Sequence, residues 1–422
     1  LRRELLLKLL EKALFEHVGA KIRESAPEGC GDPLKSDLRR MQRISVLWLL
    51  VFAWSHLSAQ LTDTLRFHST AFGEDREVVV HLPEFHRYAA PEVRMPVIIV
   101  LDGQHEWFID PVLNDIRFLQ YTHEVPQAIV VTVPHTDRVA ECAPDSIEQV
   151  DMPLLRMLAE ELPAILQPYH PSDYQVLVGH SFSASFAMYA YLKQPEAFDA
   201  VIALSPLHLM KEALPQVVRL LNDRPNDHVL LALGGAQRLK DGGHYARLEP
   251  TIRALVPDPV RGRFIYEEYP SAGHTSLPII AFPELISTLV TPYAVRDSLA
   301  PVDDNYELRE PPPPPEVLLQ QVDSTLGFFG SVIPWDVAEI NGLASRLWSS
   351  GYELQARAVY QRAVELYPRL YEFHWSLGES LLEVDRPSAM RSLNKALELL
   401  DTEEADLPER MELRAEIEAL MR

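Results

Sequence analysis

Gly179, His180, Ser181, Phe182 and Ser183 follow the apolar run 175–178 and open a stretch, 182–193, with the character of a helix. A serine on such a strand-to-helix turn projects its hydroxyl above a sheet, and the next backbone N–H faces the oxyanion that forms on an attacked carbonyl. Gly179 gives the room that a strained turn demands. Ser183 stands where the G-x-S-x-G pattern has its second glycine, so a hydroxyl is left between strand and helix. The string is weak alone, and its place between a buried strand and a helix makes it specific. Ser181 is the expected nucleophile.

A serine of this kind needs a base, an acid to orient that base, and a second oxyanion donor. Residues 263–269 read as the final strand, followed by Pro-Ser-Ala-Gly-His-Thr-Ser around His274. Among 15 histidines, His274 is singled out by its Gly-containing loop after that strand. The acid is expected one strand earlier, in the long loop after 229–233, where Asp241 is the first candidate. Glu249 is the second, and a dyad without an acid is the third possibility. The loop after the run 96–101 supplies Gln104, whose backbone N–H would pair with that of Phe182 as an oxyanion hole. Asp102 is expected to brace this loop, because an acid there would precede the serine in chain order.

The elements that must position these residues are legible from pattern. Residues 64–68 and 76–82 alternate as a strand pair joined through Phe72-Gly73-Glu74. The runs 96–101, 128–133, 175–178, 201–204 and 229–233 are apolar without alternation, which indicates strands buried on both faces and hence a parallel sheet covered by helices. Helical stretches at 153–166 and 182–193 lie between them. The fold class is α/β over residues 61–295, with a mostly parallel, doubly wound sheet.

Composition shifts after Tyr293. Residues 296–316 turn acidic and then run into five consecutive prolines at 311–315, an extended, semi-rigid linker. From 317 to 422 the pattern is wholly helical. Leu343, Ala344, Leu347, Gly351, Ala356, Tyr360, Ala363 and Pro368 fall at tetratricopeptide spacings, and Leu377, Gly378, Leu381, Ala389, Leu393 and Ala396 restate most of them at a period of about 34 residues. Asp385 stands where that repeat usually has glycine, and residues 408–421 read as a capping helix. A C-terminal all-α repeat domain is expected, with a protein partner as its natural ligand.

Near the start, Met-Gln-Arg at 41–43 leads into the apolar run 44–57 and then Ser-Ala-Gln. Residues 41–59 have the parts of a secretory signal peptide, with cleavage after Ala59 and export to the periplasm or medium. The run is too short for a stable membrane span. Residues 1–40 precede that start and are expected to be an artefactual extension. Cys30 and Cys142 show neither metal spacing nor a disulfide pattern. With a net charge of −22 among 422 residues, a nucleic-acid partner is excluded, since phosphate binding needs clustered cations.

Four ordered segments carry a resemblance: Leu-Asp-Gly-Gln-His-Glu-Trp-Phe from Leu101, Ile-Val-Val-Thr-Val-Pro-His-Thr-Asp-Arg from Ile129, the Ser181 elbow, and Phe-Asp-Ala-Val-Ile-Ala-Leu-Ser-Pro from Phe198. Together they resemble the esterase group of α/β-hydrolases that includes the ferric-siderophore lactone esterases and is related to feruloyl and S-formylglutathione esterases. The resemblance covers about residues 61–292. It implies cleavage of a small-molecule carboxylic ester through an acyl-enzyme without metal or organic cofactor, with Ser181 as nucleophile and His274 as base. Some exported bacterial members carry similar helical repeats. Two departures stand out: Ser183 and Ala184 replace glycines of the group, and Ala236 and Gln237 lie where an acidic residue is frequent. They motivate an alternative, a weak or inactive esterase-like scaffold that acts through its repeats.

Overall fold

A computed structural model describes residues 61–207, 209–235, 242–255, 263–327, 335–403 and 407–422. The expected extension at 1–40, the signal peptide at 41–59, Cys30 and Asp241 lie outside the described residues.

Eight strands form one sheet: β1 (Thr62–Ser69), β2 (Glu74–His81), β3 (Met95–Leu101), β4 (Ile129–Val133), β5 (Pro171–His180), β6 (Ala200–Leu204), β7 (His228–Gly234) and β8 (Phe264–Tyr269). Their spatial order is β1-β2-β4-β3-β5-β6-β7-β8. β1 and β2 are a hairpin in the register Thr62 to His81 through Ser69 to Glu74, closed by Gly73 at φ 69°. β2 joins β4 antiparallel, and every pair beyond it is parallel.

Each residue of β3, β4, β6 and β7 is buried, which is why those runs carry no polar alternation. β8 is an edge strand and only half-buried. Helices α1 (Glu106–Tyr121), α2 (Phe182–Lys193), α3 (Met210–Asp223), α4 (Gly242–Leu255) and α5 (Leu277–Val290) follow the strands of the parallel part. In α2 every residue from Ser183 to Tyr191 is buried, so this helix has no solvent stripe and its small residues set how closely it lies on the sheet. The order reverses at β3, whose neighbours are β4 and β5, and in open α/β sheets such a switch marks the carboxyl ends of the strands as the place where ligands bind.

The C-terminal part is helical: α6 (Pro315–Leu326), α7 (Val337–Ser349), α8 (Glu353–Leu366), α9 (Tyr371–Leu381), α10 (Arg386–Leu400) and α11 (Leu407–Leu420). At Gly378 an added Cβ would lie 2.7 Å from the Leu393 side chain, so glycine lets α9 and α10 close together. Asp385 caps α10, accepting from Ser388 N at 3.2 Å.

Trp335, Leu343, Tyr367, Phe373 and Leu377 share one continuous core with the sheet residues. Polar ties cross the same boundary. Asp336 caps α7 through Ala338 N at 2.9 Å and accepts from Gln127 N at 2.9 Å. Tyr88 Oη donates to Glu403 at 2.7 Å, and Arg369 donates to the Ala89 carbonyl at 2.9 Å. Gln355 donates to the carbonyl of Pro313 at 3.1 Å, which draws the proline tract onto α8. Among the described residues no helix is long and apolar enough to cross a membrane.

Candidate active site

Three neighbouring strands end in a residue with positive φ: Asp102 after β3 (φ 65°), Ser181 after β5 (φ 64°) and Ser205 after β6 (φ 48°). Such conformations cost about 1–3 kcal/mol each in non-glycine residues and persist only where the surroundings fix them. At Ser181 the surroundings are plain. Its N–H donates to the Leu204 carbonyl at 2.9 Å, its carbonyl accepts from Ser185 N at 3.1 Å, and it begins α2. Gly179 makes this possible, because a Cβ there would lie 2.4 Å from the Ser183 carbonyl oxygen and 2.7 Å from Ala184 N.

His274 sits in the loop between β8 and α5, and its Nε2 is 3.0 Å from Ser181 Oγ. The two side chains are 93 residues apart in sequence. The loop is shaped by Ala272 N bonding to the Tyr269 carbonyl and Gly273 N to Ser276 Oγ, each at 3.0 Å. Of the two acids considered, Asp241 lies outside the described residues, and Glu249 directs its carboxylate to Arg253.

The expected oxyanion donors lie at the ends of β3 and β5. Phe182 is the first residue of α2, so its N–H has no acceptor within the helix. No backbone carbonyl among the described residues accepts from Gln104 N. Gln104 also ties its loop to the next one, its Oε1 accepting from His135 N at 2.9 Å. Gly103 is pressed against that loop, since an added Cβ would be 2.7 Å from Pro134 N.

Sequence patterning singled out Asp102 as a brace but not the charges gathered around it. Asp102 is buried and receives Arg138 Nε at 2.5 Å and Nη2 at 2.8 Å. Burial alone would raise its carboxyl; the Arg138 hydrogen bonds and charge, with a hydrogen bond from Ser183, outweigh burial and hold it below the usual carboxylate range. Asp102 N donates to His135 Nε2 at 3.2 Å, so the His135 proton is on Nδ1, which donates to Glu141 at 3.0 Å. Glu141 is also held by both terminal nitrogens of Arg76, at 3.1 and 2.8 Å. Burial pushes the Glu141 carboxyl up, but His135 and Arg76 bring it down to about 2. The only sequence signal for this network was the run of polar residues directly after the buried strand β4.

His180 was read only as the x of the elbow. Its ring is buried, and Nε2 donates to the His274 carbonyl at 2.9 Å. Burial, reinforced by the neighbouring His274, lowers it to about 4, so it is uncharged at neutral pH. Trp107 packs edge-on against it at 5.7 Å between ring centroids, and Trp107 is itself partly exposed.

Residues 69–241 match the family described as "Putative esterase". The matched segment is a carboxylic ester hydrolase domain. No curated protein sequence matches the chain. Among solved structures, the chain is similar to an IroE-like serine hydrolase from Shewanella oneidensis, at 19% identity and TM-score 0.56, over 72% of this chain and 100% of that one. An uncharacterised protein from Capnocytophaga ochracea is similar at 15% identity and TM-score 0.53, over 85% of this chain and 100% of that one. At these identities the likeness is one of fold: a mostly parallel eight-stranded α/β-hydrolase sheet with a C-terminal helical region.

Proposed function

We propose that the chain is an exported serine esterase that cleaves a small-molecule carboxylic ester through an acyl-enzyme at Ser181. The observation that carries this reading is the 3.0 Å contact between Ser181 Oγ, on its positive-φ turn, and His274 Nε2. In the reaction, His274 Nε2 takes the Ser181 proton as Oγ attacks the ester carbonyl. The resulting oxyanion is held by the N–H groups of Phe182 and Gln104, each such donor lowering the barrier by about 3 kcal/mol. His274 then gives its proton to the departing alkoxide. Water, deprotonated by the same imidazole, releases the acid and restores Ser181. Asp241 is proposed as the residue that orients His274 through Nδ1.

The test is labelling of the purified protein with a fluorophosphonate probe, together with hydrolysis of short p-nitrophenyl esters. Labelling is expected to vanish in Ser181→Ala, and turnover to fall by at least about a thousandfold in Ser181→Ala and His274→Ala. Equal rates in all three proteins defeat the reading. A similar loss in Asp241→Asn, with labelling slowed but present, supports its role.

Export rests on residues 41–59 and is checked by sequencing the mature N-terminus: Gln60 is expected, and a terminus within residues 1–40 overturns it. The helical region is proposed to be tetratricopeptide-like and to hold a partner or orient the enzyme. The close approach of α9 and α10 at Gly378 supports that helix-pair packing. An ester panel that includes siderophore lactones, acylated sugars and thioesters identifies the substrate class.

A further inference from the structure

Ser183 occupies the position at which this elbow pattern has glycine, and its hydroxyl has specific partners. Oγ accepts from His180 N at 2.8 Å and lies 2.6 Å from Asp102 Oδ2. It is also 2.8 Å from the His180 carbonyl, but that oxygen already receives Arg138 Nη2 at 2.7 Å. The single hydroxyl proton goes to the carboxylate, the stronger acceptor because it is charged. Ser183 is fully buried and Asp102 nearly so, which keeps water from competing for either group.

The two residues stand on different segments. Asp102 opens the loop after β3 that contains Gln104; Ser183 is the second residue of α2, next to Phe182. The bond therefore joins the two segments whose N–H groups form the oxyanion hole. Arg138 completes the join by binding Asp102 and the His180 carbonyl together.

We propose that Ser183 and Asp102 are positioning residues that fix the spacing of the two oxyanion donors, so that a hydroxyl-to-carboxylate tie replaces glycine-mediated close packing at this elbow. The inference rests on the assignment of Ser181 as nucleophile. A tie of this kind acts where charge develops, so its loss lowers kcat and leaves ground-state binding in place.

The experiment compares wild type with Ser183→Ala, Ser183→Gly, Asp102→Ala and the Ser183→Ala/Asp102→Ala double variant on p-nitrophenyl butyrate. A trifluoromethyl ketone serves as the transition-state analogue and the parent methyl ketone as the ground-state control. Ser183→Ala and Ser183→Gly are expected to lose about tenfold in kcat and in trifluoromethyl ketone affinity, while KM and methyl ketone affinity change less than about twofold. In the Asp102→Ala background the Ser183→Ala loss should largely disappear, since both remove one tie. Ser183→Gly provides a variant with no added bulk should alanine fold poorly. Full kcat in Ser183→Gly, equal losses of both ketones, or multiplicative losses in the double variant would each overturn the tie. A wild-type protein that the fluorophosphonate does not label at Ser181 overturns the nucleophile assignment, whereas labelled wild type with unaffected Ser183 variants overturns the tie alone.

Discussion

His180 donates its Nε2–H to the backbone carbonyl of His274 at 2.9 Å, with the two rings 4.8 Å apart, so the residue preceding the serine holds the loop that carries the imidazole.

His180 is buried and uncharged, its folded value near 4 against 6.5 when unfolded, because burial costs the imidazolium more than the bond to the His274 carbonyl returns. Between those values the unfolded chain binds the extra proton, so stability from this group is complete above pH 6.5 and declines as pH falls toward 4. The full effect is about 3 kcal/mol. Urea midpoints at pH 7.5, 5.5 and 4.0 should fall in that order, and His180→Gln should flatten the dependence. An unchanged pH slope in His180→Gln refutes the assignment.

Arg138 is the main counter-charge of a carboxylate that is almost fully enclosed. Arg138→Ala should destabilise the fold by about 3 kcal/mol or more, because the charge of Asp102 is left buried and unpaired. Asp102→Asn in the same chain should recover part of that loss. Denaturant titration of the two single variants and the double decides the matter, and strict additivity argues against the pairing.

Gly179→Ala places a methyl group 2.4 Å from the Ser183 carbonyl oxygen. The obstacle is backbone of α2, which cannot swing aside as a side chain would. A stability loss of about 3 kcal/mol is expected, with esterase turnover abolished. Near wild-type melting and turnover would mean that the elbow relaxes more freely than its packing implies.

Asp336 joins α7 to the loop before β4 by accepting from Ala338 N and Gln127 N. Asp336→Ala removes a helix cap and leaves a buried N–H without its acceptor, which together cost about 2–4 kcal/mol. Burial raises the Asp336 carboxyl above its ordinary range. Asp336→Asn, which keeps an acceptor and sheds the charge, should be the milder change by thermal melting.

Pattern reading located the sheet because β3, β4, β6 and β7 are buried on both faces and show it as unbroken apolar runs. It paired Ser181 with His274 from strand order, and the fold brings those two side chains to 3.0 Å. It did not assemble Arg76, Glu141, His135, Asp102 and Arg138, whose partners lie up to 65 residues apart. Charge pairing leaves no period in a sequence, and only strand adjacency brings β2, β3 and β4 into register. The role of Ser183 was hidden for a related reason: a serine in an apolar helix gives no sign of which carboxylate it faces.

Because Trp335, Tyr367 and Phe373 complete the same interior as the strands, the sheet and the C-terminal helices are expected to melt as one unit. Heating should give one calorimetric peak, and a cut within the proline tract should leave two fragments that remain associated until both lose structure together.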